Sequence, residues 1–165
     1  MSYTKLQGML AQEIYPSNNS DIPYPVITIK GAASAVVVDS LRDASVNFNA
    51  PSTIVYAGDI VYNTVAETSA TVVRVIDGTT LLLNANIFTV GSEKYEIYSA
   101  SSVLNLQNAN NGCVLYIGKT GNIKVDTIAG STVTFKAVPV GFFPVQVKKV
   151  YGTDGTTAED IIALW

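Results

Sequence analysis

Residues 113–138 read CVLYIGKTGNIKVDTIAGSTVTFKAV: three runs of about seven residues, split by Gly118, Gly121 and Gly130. In the second run Ile123, Val125 and Thr127 fall on one side, and Lys124 and Asp126 on the other. In the third, Val133, Phe135 and Ala137 oppose Thr132, Thr134 and Lys136. The pattern continues in FFPVQVKKV, where Val145 and Val147 oppose Gln146 and Lys148. A period of two places alternate side chains on opposite faces of a strand, and one apolar face per strand is the pattern of an antiparallel sheet. The stretch therefore predicts successive half-buried strands at 113–119, 121–128, 131–138 and 143–152.

Working back along the chain, further short strands separated by turn residues are predicted at 25–31, 34–40, 53–57, 59–63, 69–77, 79–85, 94–100 and 102–108. Asp77-Gly78 is a hairpin signal, because both positions tolerate positive φ. Helix signals are few. TKLQGMLAQEIY (4–15) predicts one weak N-terminal helical turn with Leu6, Met9, Leu10 and Ile14 on one side. TAEDIIALW (157–165) predicts a closing turn with Thr157 as N-cap. Residues 53–98 have the logic of a small β-barrel-like module inserted into a larger β-domain. The expected organisation is an N-terminal arm (1–21), an antiparallel β-sandwich of jelly-roll type (22–52 and 99–165) and the inserted module (53–98).

Composition narrows the chemistry. The chain has 165 residues, 48% hydrophobic and only 14% charged, with a net charge of −3. That is too apolar for a disordered chain, and its mildly acidic balance argues against nucleic acid as the main partner. It contains no histidine, which removes the commonest general base and metal ligand. The single cysteine, Cys113, rules out an intrachain disulfide and reads as a small buried apolar residue. The acids fall mostly in turns, where Asp caps backbone N–H groups. GKTGN (118–122) contains Gly-Lys-Thr, but position 113 is Cys where a phosphate loop needs Gly. No catalytic, cofactor or metal site is expected. No segment is long and apolar enough for a membrane span, and the N-terminal residues lack the pattern of a secretory signal.

Two groups of residues suggest protein contacts instead. Tyr15, Tyr24, Phe142, Phe143 and Trp165 lie near proline-rich stretches or the end of the sequence, and large aromatics are enriched at interfaces. Lys119, Lys124, Lys136, Lys148 and Lys149 make a basic run opposed only by Asp126. The simplest reading is a solvated sheet face that discourages edge pairing; the sharper one is a basic patch, with Lys148 and Lys149 as its contacts, that faces an acidic protein surface or packaged nucleic acid. Phe143 and Trp165 each have two readings, closure of the core or contact with a neighbour, and Ile161, Ile162, Leu164 and Trp165 can pack together or onto a partner.

The C-terminal third resembles a family of small tailed-phage virion proteins, which includes the spike-base proteins of head spikes in phage-like gene transfer agents. The resemblance rests on SDIPYPV (20–26), with Asp21, Pro23 and Pro25, and on LYIG (115–118), GNIKV (121–125) and VTFKAVPVG (133–141). PVQVKKV (144–150) and GTTAEDIIALW (155–165) complete it. In typical members the proline lead-in runs almost directly into the LYIG strand, whereas here residues 30–105 intervene. The 53–98 block is itself similar to small β-modules of phage decoration and fibre proteins. The resemblance implies a jelly-roll-like sandwich and a non-enzymatic role in the virion, as capsid decoration, cement or head-spike base. Partners would be other virion proteins, and a homo-oligomer, by analogy a trimer, is expected. A neck, collar, tail, baseplate or fibre-adaptor protein is the alternative. A carbohydrate-binding module is a third reading, with NLQNANNGC (105–113) as its candidate loop.

Overall fold

The computed structural model describes residues 10–100, 112–153 and 155–165. The described residues form thirteen β-strands and no helix. The first strand is β1 (Ala11–Glu13). It is followed by β2 (Ile27–Ala32), β3 (Ala35–Val37), β4 (Ser40–Arg42), β5 (Ile60–Asn63), β6 (Thr68–Asp77), β7 (Thr80–Leu83) and β8 (Lys94–Tyr98). The C-terminal part adds β9 (Cys113–Lys119), β10 (Gly121–Thr127), β11 (Thr132–Val138), β12 (Gly141–Val150) and β13 (Glu159–Leu164). Two antiparallel sheets result, ordered β1-β13-β9-β12-β10-β11 and β2-β8-β5-β6-β7-β4-β3.

The strands read from 113–138 form as β9, β10 and β11, and alternation assigns the faces of β9 and β10. In β11 the expected apolar face fails, because Val133 and Ala137 are exposed, Phe135 is half-buried, and the bend at Ala137 leaves Val138 as the buried residue. Cys113, Leu115, Ile117, Ile123 and Val125 point into one core with Phe143, Val147, Val150, Ile161 and Ala163. A second core lies within the seven-stranded sheet, where Leu41, Val61, Val72, Leu81, Tyr95 and Ile97 surround Phe48 and Phe88 from the connecting loops.

The expectation of a sandwich with an inserted β-barrel-like module is corrected here. The protein is all-β with two antiparallel sheets, but neither closes into a barrel. The reason lies in residues 27–37. β2 pairs with β8 on one edge of the seven-stranded sheet; after Ala33 and Ser34 the chain becomes β3, which pairs with β4 on the opposite edge. Ala33 still donates to the Glu93 carbonyl at 2.9 Å, whereas Ser34 already donates to the Arg42 carbonyl at 2.7 Å. The two edges are thus joined by the chain itself, with no hydrogen-bonded ladder between them. Opposite this crossing the ten-residue β6 serves both halves of the sheet, pairing with β5 at its start and with β7 through two register shifts.

Of the expected helical turn over 4–15, residues 4–9 lie outside the described residues and 11–13 are a strand; the expected closing turn over 157–165 is a strand at 159–164. Residues 11–13 pair with β13 (Gln12 opposite Ala163), and β13 pairs with β9 (Ile161 opposite Ile117, Ala163 opposite Leu115). Burying Ile161 and Ala163 on one face follows a period of two, and long-range partners outweigh a weak local helix preference. Thr157 accepts from the Asn122 N–H at 2.9 Å, so it ties the segment to β10 instead of capping a helix. The expected strand 53–57 is irregular, and 34–40 is a hairpin turning at Val38-Asp39, with Asp39 at φ 50°. The expected strand 102–108 lies outside the described residues.

The segment 14–24 straps the two sheets together. Ser17 and Ile22 donate backbone N–H groups to the carbonyls of Val150 and Lys148 in β12. On the other side the Ser17 hydroxyl donates to the Ser69 carbonyl, Ser20 and Ser69 share a 2.7 Å hydroxyl bond, and Thr71 donates to the Asn19 carbonyl.

Candidate binding cleft and docking face

Where the strap crosses between the sheets it leaves a cleft of about 380 Å³, lined among others by Asp21, Tyr24, Ile60, Lys148, Lys149 and Trp165. Four of the seven residues proposed from sequence as contacts (Tyr24, Lys148, Lys149 and Trp165) are thereby brought together. Trp165 is held by a backbone pair with Leu10, donating to its carbonyl at 3.0 Å and accepting its N–H at 3.3 Å. Its indole meets the Tyr24 ring edge-on, with centroids 5.8 Å apart at 76°, and it packs half-buried on the C-terminal core. Lys149 is engaged: Nζ donates to the Asn18 carbonyl at 2.9 Å and sits 5.1 Å from the centre of the Tyr151 ring. Asp21 and Lys148 are in neither of the two ion pairs among the described residues, Lys30–Glu96 and Lys119–Glu159. The cleft therefore offers a carboxylate, an ammonium group and aromatic edges to a polar ligand.

Tyr15 lies elsewhere. Its ring packs 4.9 Å from that of Tyr62, which in turn is 5.0 Å from Tyr98, on the side of β5 facing the strap. Burial, and then the carboxylates of Glu13, Glu67 and Glu96, raise the Tyr15 phenol above its ordinary pKa, so it remains a neutral donor. A second hollow of about 320 Å³ beside it is lined by Glu13, Glu67, Glu159 and Asp160. Glu159 is already bound to Lys119 at 2.6 Å, and no group of described residues is arranged to hold a metal ion.

Phe142 and Phe143 face opposite ways. Phe143 is only 5% exposed and packs edge-on against Phe135 at 4.8 Å, so it belongs to the core. Phe142 is 74% exposed and leans on Tyr116 at 5.7 Å. The register continues this contact across the sheet: Phe142 lies opposite Tyr116, Tyr116 opposite Ile162, and Val114 opposite Leu164. These five side chains form an uncharged band on the outward side of β12, β9 and β13. Val114 and Tyr116 were not among the candidates from sequence, whereas Ile162 and Leu164 were expected to pack with their neighbours or onto a partner. The signal for an outward apolar face was available: LYIG and DIIAL carry apolar residues at consecutive positions, which a one-sided strand does not require.

The candidate glycan loop 105–113 lies almost wholly outside the described residues. No family model, curated protein or solved structure matches the chain, so the resemblance of its C-terminal third rests on the motif residues alone.

Proposed function

We propose that this chain is a non-enzymatic structural subunit of a tailed-phage particle, a capsid decoration, cement or head-spike-base protein that docks on another virion protein. The observation that carries the reading is the outward band of Val114, Tyr116, Phe142, Ile162 and Leu164, in which Tyr116, Ile162 and Leu164 come from the motifs that carry the resemblance. Within those motifs the inward residues Leu115, Ile117, Ile161 and Ala163 make the core, which accounts for half of each pattern. Folding alone does not call for the outward half. Burying an exposed aromatic ring is worth about 1.5–3 kcal/mol, and repetition over a symmetric shell multiplies such modest contacts into stable attachment. The absence of histidine from the sequence also suits a subunit with no acid–base chemistry to perform.

The test is assembly of particles with the Phe142→Asp chain, followed by cryo-EM occupancy. Wild-type chain should give density on the head, and the variant should fold normally yet be lost from the particle. Undiminished occupancy would refute docking through this band. Density confined to the tail would move the protein to the neck, tail or fibre-adaptor class.

The cleft favours a second reading, a glycan-binding module, because Asp21, Lys148 and the Tyr24–Trp165 pair offer hydroxyl partners beside aromatic surface. Trp165 is the chain's one tryptophan, so saturable change in its emission with simple methyl glycosides would support that reading, and a flat titration would end it.

A further inference from the structure

Each of the two sheets has two edges, and three of the four carry a charge. β1 has Glu13, and β2 has Lys30, bound to Glu96 at 2.7 Å. β11 has Lys136, with Ala137 at φ 49° bending the strand's end. Charges and bends of this kind are how native sheets prevent strand addition. The edge β3 has neither. Val36, Val37 and Val38 follow one another there, 47%, 37% and 72% exposed, with no charged side chain between Ala33 and Val38.

The geometry of the hairpin determines what this edge can bond. Val38-Asp39 is a two-residue turn closed by the Val37–Ser40 pair. In an antiparallel ladder successive residues alternate between bonding their neighbour and facing away. Val37 faces β4, so Val36 directs its N–H and C=O to the open side.

We propose that β3 pairs antiparallel with the β3 of a second copy of this chain, about a twofold axis at Val36. With each Val36 opposite its equivalent, Val37 meets Ala35, Val38 meets Ser34, and Asp39 meets Ala33, so no like charges are brought together. Pairing with any of the other three edges would set Glu13, Lys30 or Lys136 against the valines. A twofold contact is self-complementary and closes after two copies. It would join the seven-stranded sheets of the two chains edge to edge through β3. This inference does not depend on where the protein works, and its test is separate from particle assembly.

Sedimentation equilibrium of the full chain, from low micromolar to submillimolar, should show a mass rising to twice that of one chain. Val36→Lys and Val36→Pro should weaken the dimer by about tenfold or more, with circular dichroism unchanged. Val36→Cys should oxidise to a covalent dimer across the axis, whereas Val65→Cys, 60% exposed on another loop, should not. The native Cys113 is 3% exposed and does not interfere. A monomer throughout, a trimer, a dimer that survives Val36→Lys, or equal cross-linking at Val65 would overturn the proposal. Should Val36→Pro fail to fold, the cysteine pair decides.

Discussion

Tyr95→Phe removes one oxygen from the centre of the seven-stranded sheet. Tyr95 is 1% exposed, and its hydroxyl donates at 2.8 Å to Oδ2 of Asp43, itself 1% exposed. The other carboxylate oxygen accepts from the Ser45 N–H at 2.9 Å and the Ser45 hydroxyl at 2.6 Å. β2 passes directly over this pair with Gly31, where a methyl group would lie 2.5 Å from the Tyr95 oxygen and 2.6 Å from Oδ2. The variant keeps the ring and leaves Asp43 with both Ser45 bonds, so only one hydrogen bond to a charged group is lost. Such bonds are worth about 1.5–3 kcal/mol, and a loss of about 2 kcal/mol is expected at neutral pH. That is a large share of the roughly 5–15 kcal/mol typical of a folded domain.

The same bond sets a pH dependence. Burial raises the Asp43 pKa, but the hydrogen bonds from Ser45 and Tyr95 outweigh it and bring the carboxyl below its ordinary value. A group whose folded pKa is depressed contributes stability above its unfolded pKa, about 3.9 for Asp, and loses that contribution as pH falls through the folded value. The gap between wild type and Tyr95→Phe should therefore be full at neutral pH and narrow below about pH 4. Urea titrations followed by circular dichroism would measure it, with Trp165 emission following the other core separately. A loss under about 0.5 kcal/mol at neutral pH, or a gap that stays constant into acid, would refute the reasoning.

Two neighbouring substitutions test the face assignment of β12. Phe143→Ala should cost about 3–5 kcal/mol by opening a cavity in the C-terminal core, while Phe142→Ala should stay within about 0.5 kcal/mol; equal losses would mean the faces are wrongly assigned. Burial pushes the Cys113 thiol up to about 12. A thiol reagent at mildly alkaline pH should leave the native chain unmodified and label it fully in urea; rapid native labelling would contradict the buried placement.

How much of this was legible beforehand depends on the distance over which each feature is determined. The hairpin over 121–138 forms because its alternation and its Ala129-Gly130 turn are local, with Gly130 at φ 88°. The end segment was misjudged because AEDIIALW carries both a weak helix pattern and a strand pattern. Its partner β9 lies some forty residues away, and only that pairing selects the strand. The barrel expected over 53–98 failed for a similar reason. Its block supplies β5 to β8, but the strands that complete the sheet, β2 to β4, come from residues 27–42.

The candidate site divides along the same line. Tyr24, Lys148, Lys149 and Trp165 could be marked singly as residues suited to contact, yet nothing in their spacing places them around one cleft. The strap 14–24 does so by hydrogen-bonding to β12 on one side and to Ser69 and Thr71 on the other. The pair Phe142-Phe143 is the clearest case of the division. From sequence alone, the period of two dictates that one ring faces in and its neighbour out. Which ring is buried was decided only when Phe143 came to lie opposite Leu115 and against Phe135, because a strand's alternation defines two faces and only its partners determine which of them meets water.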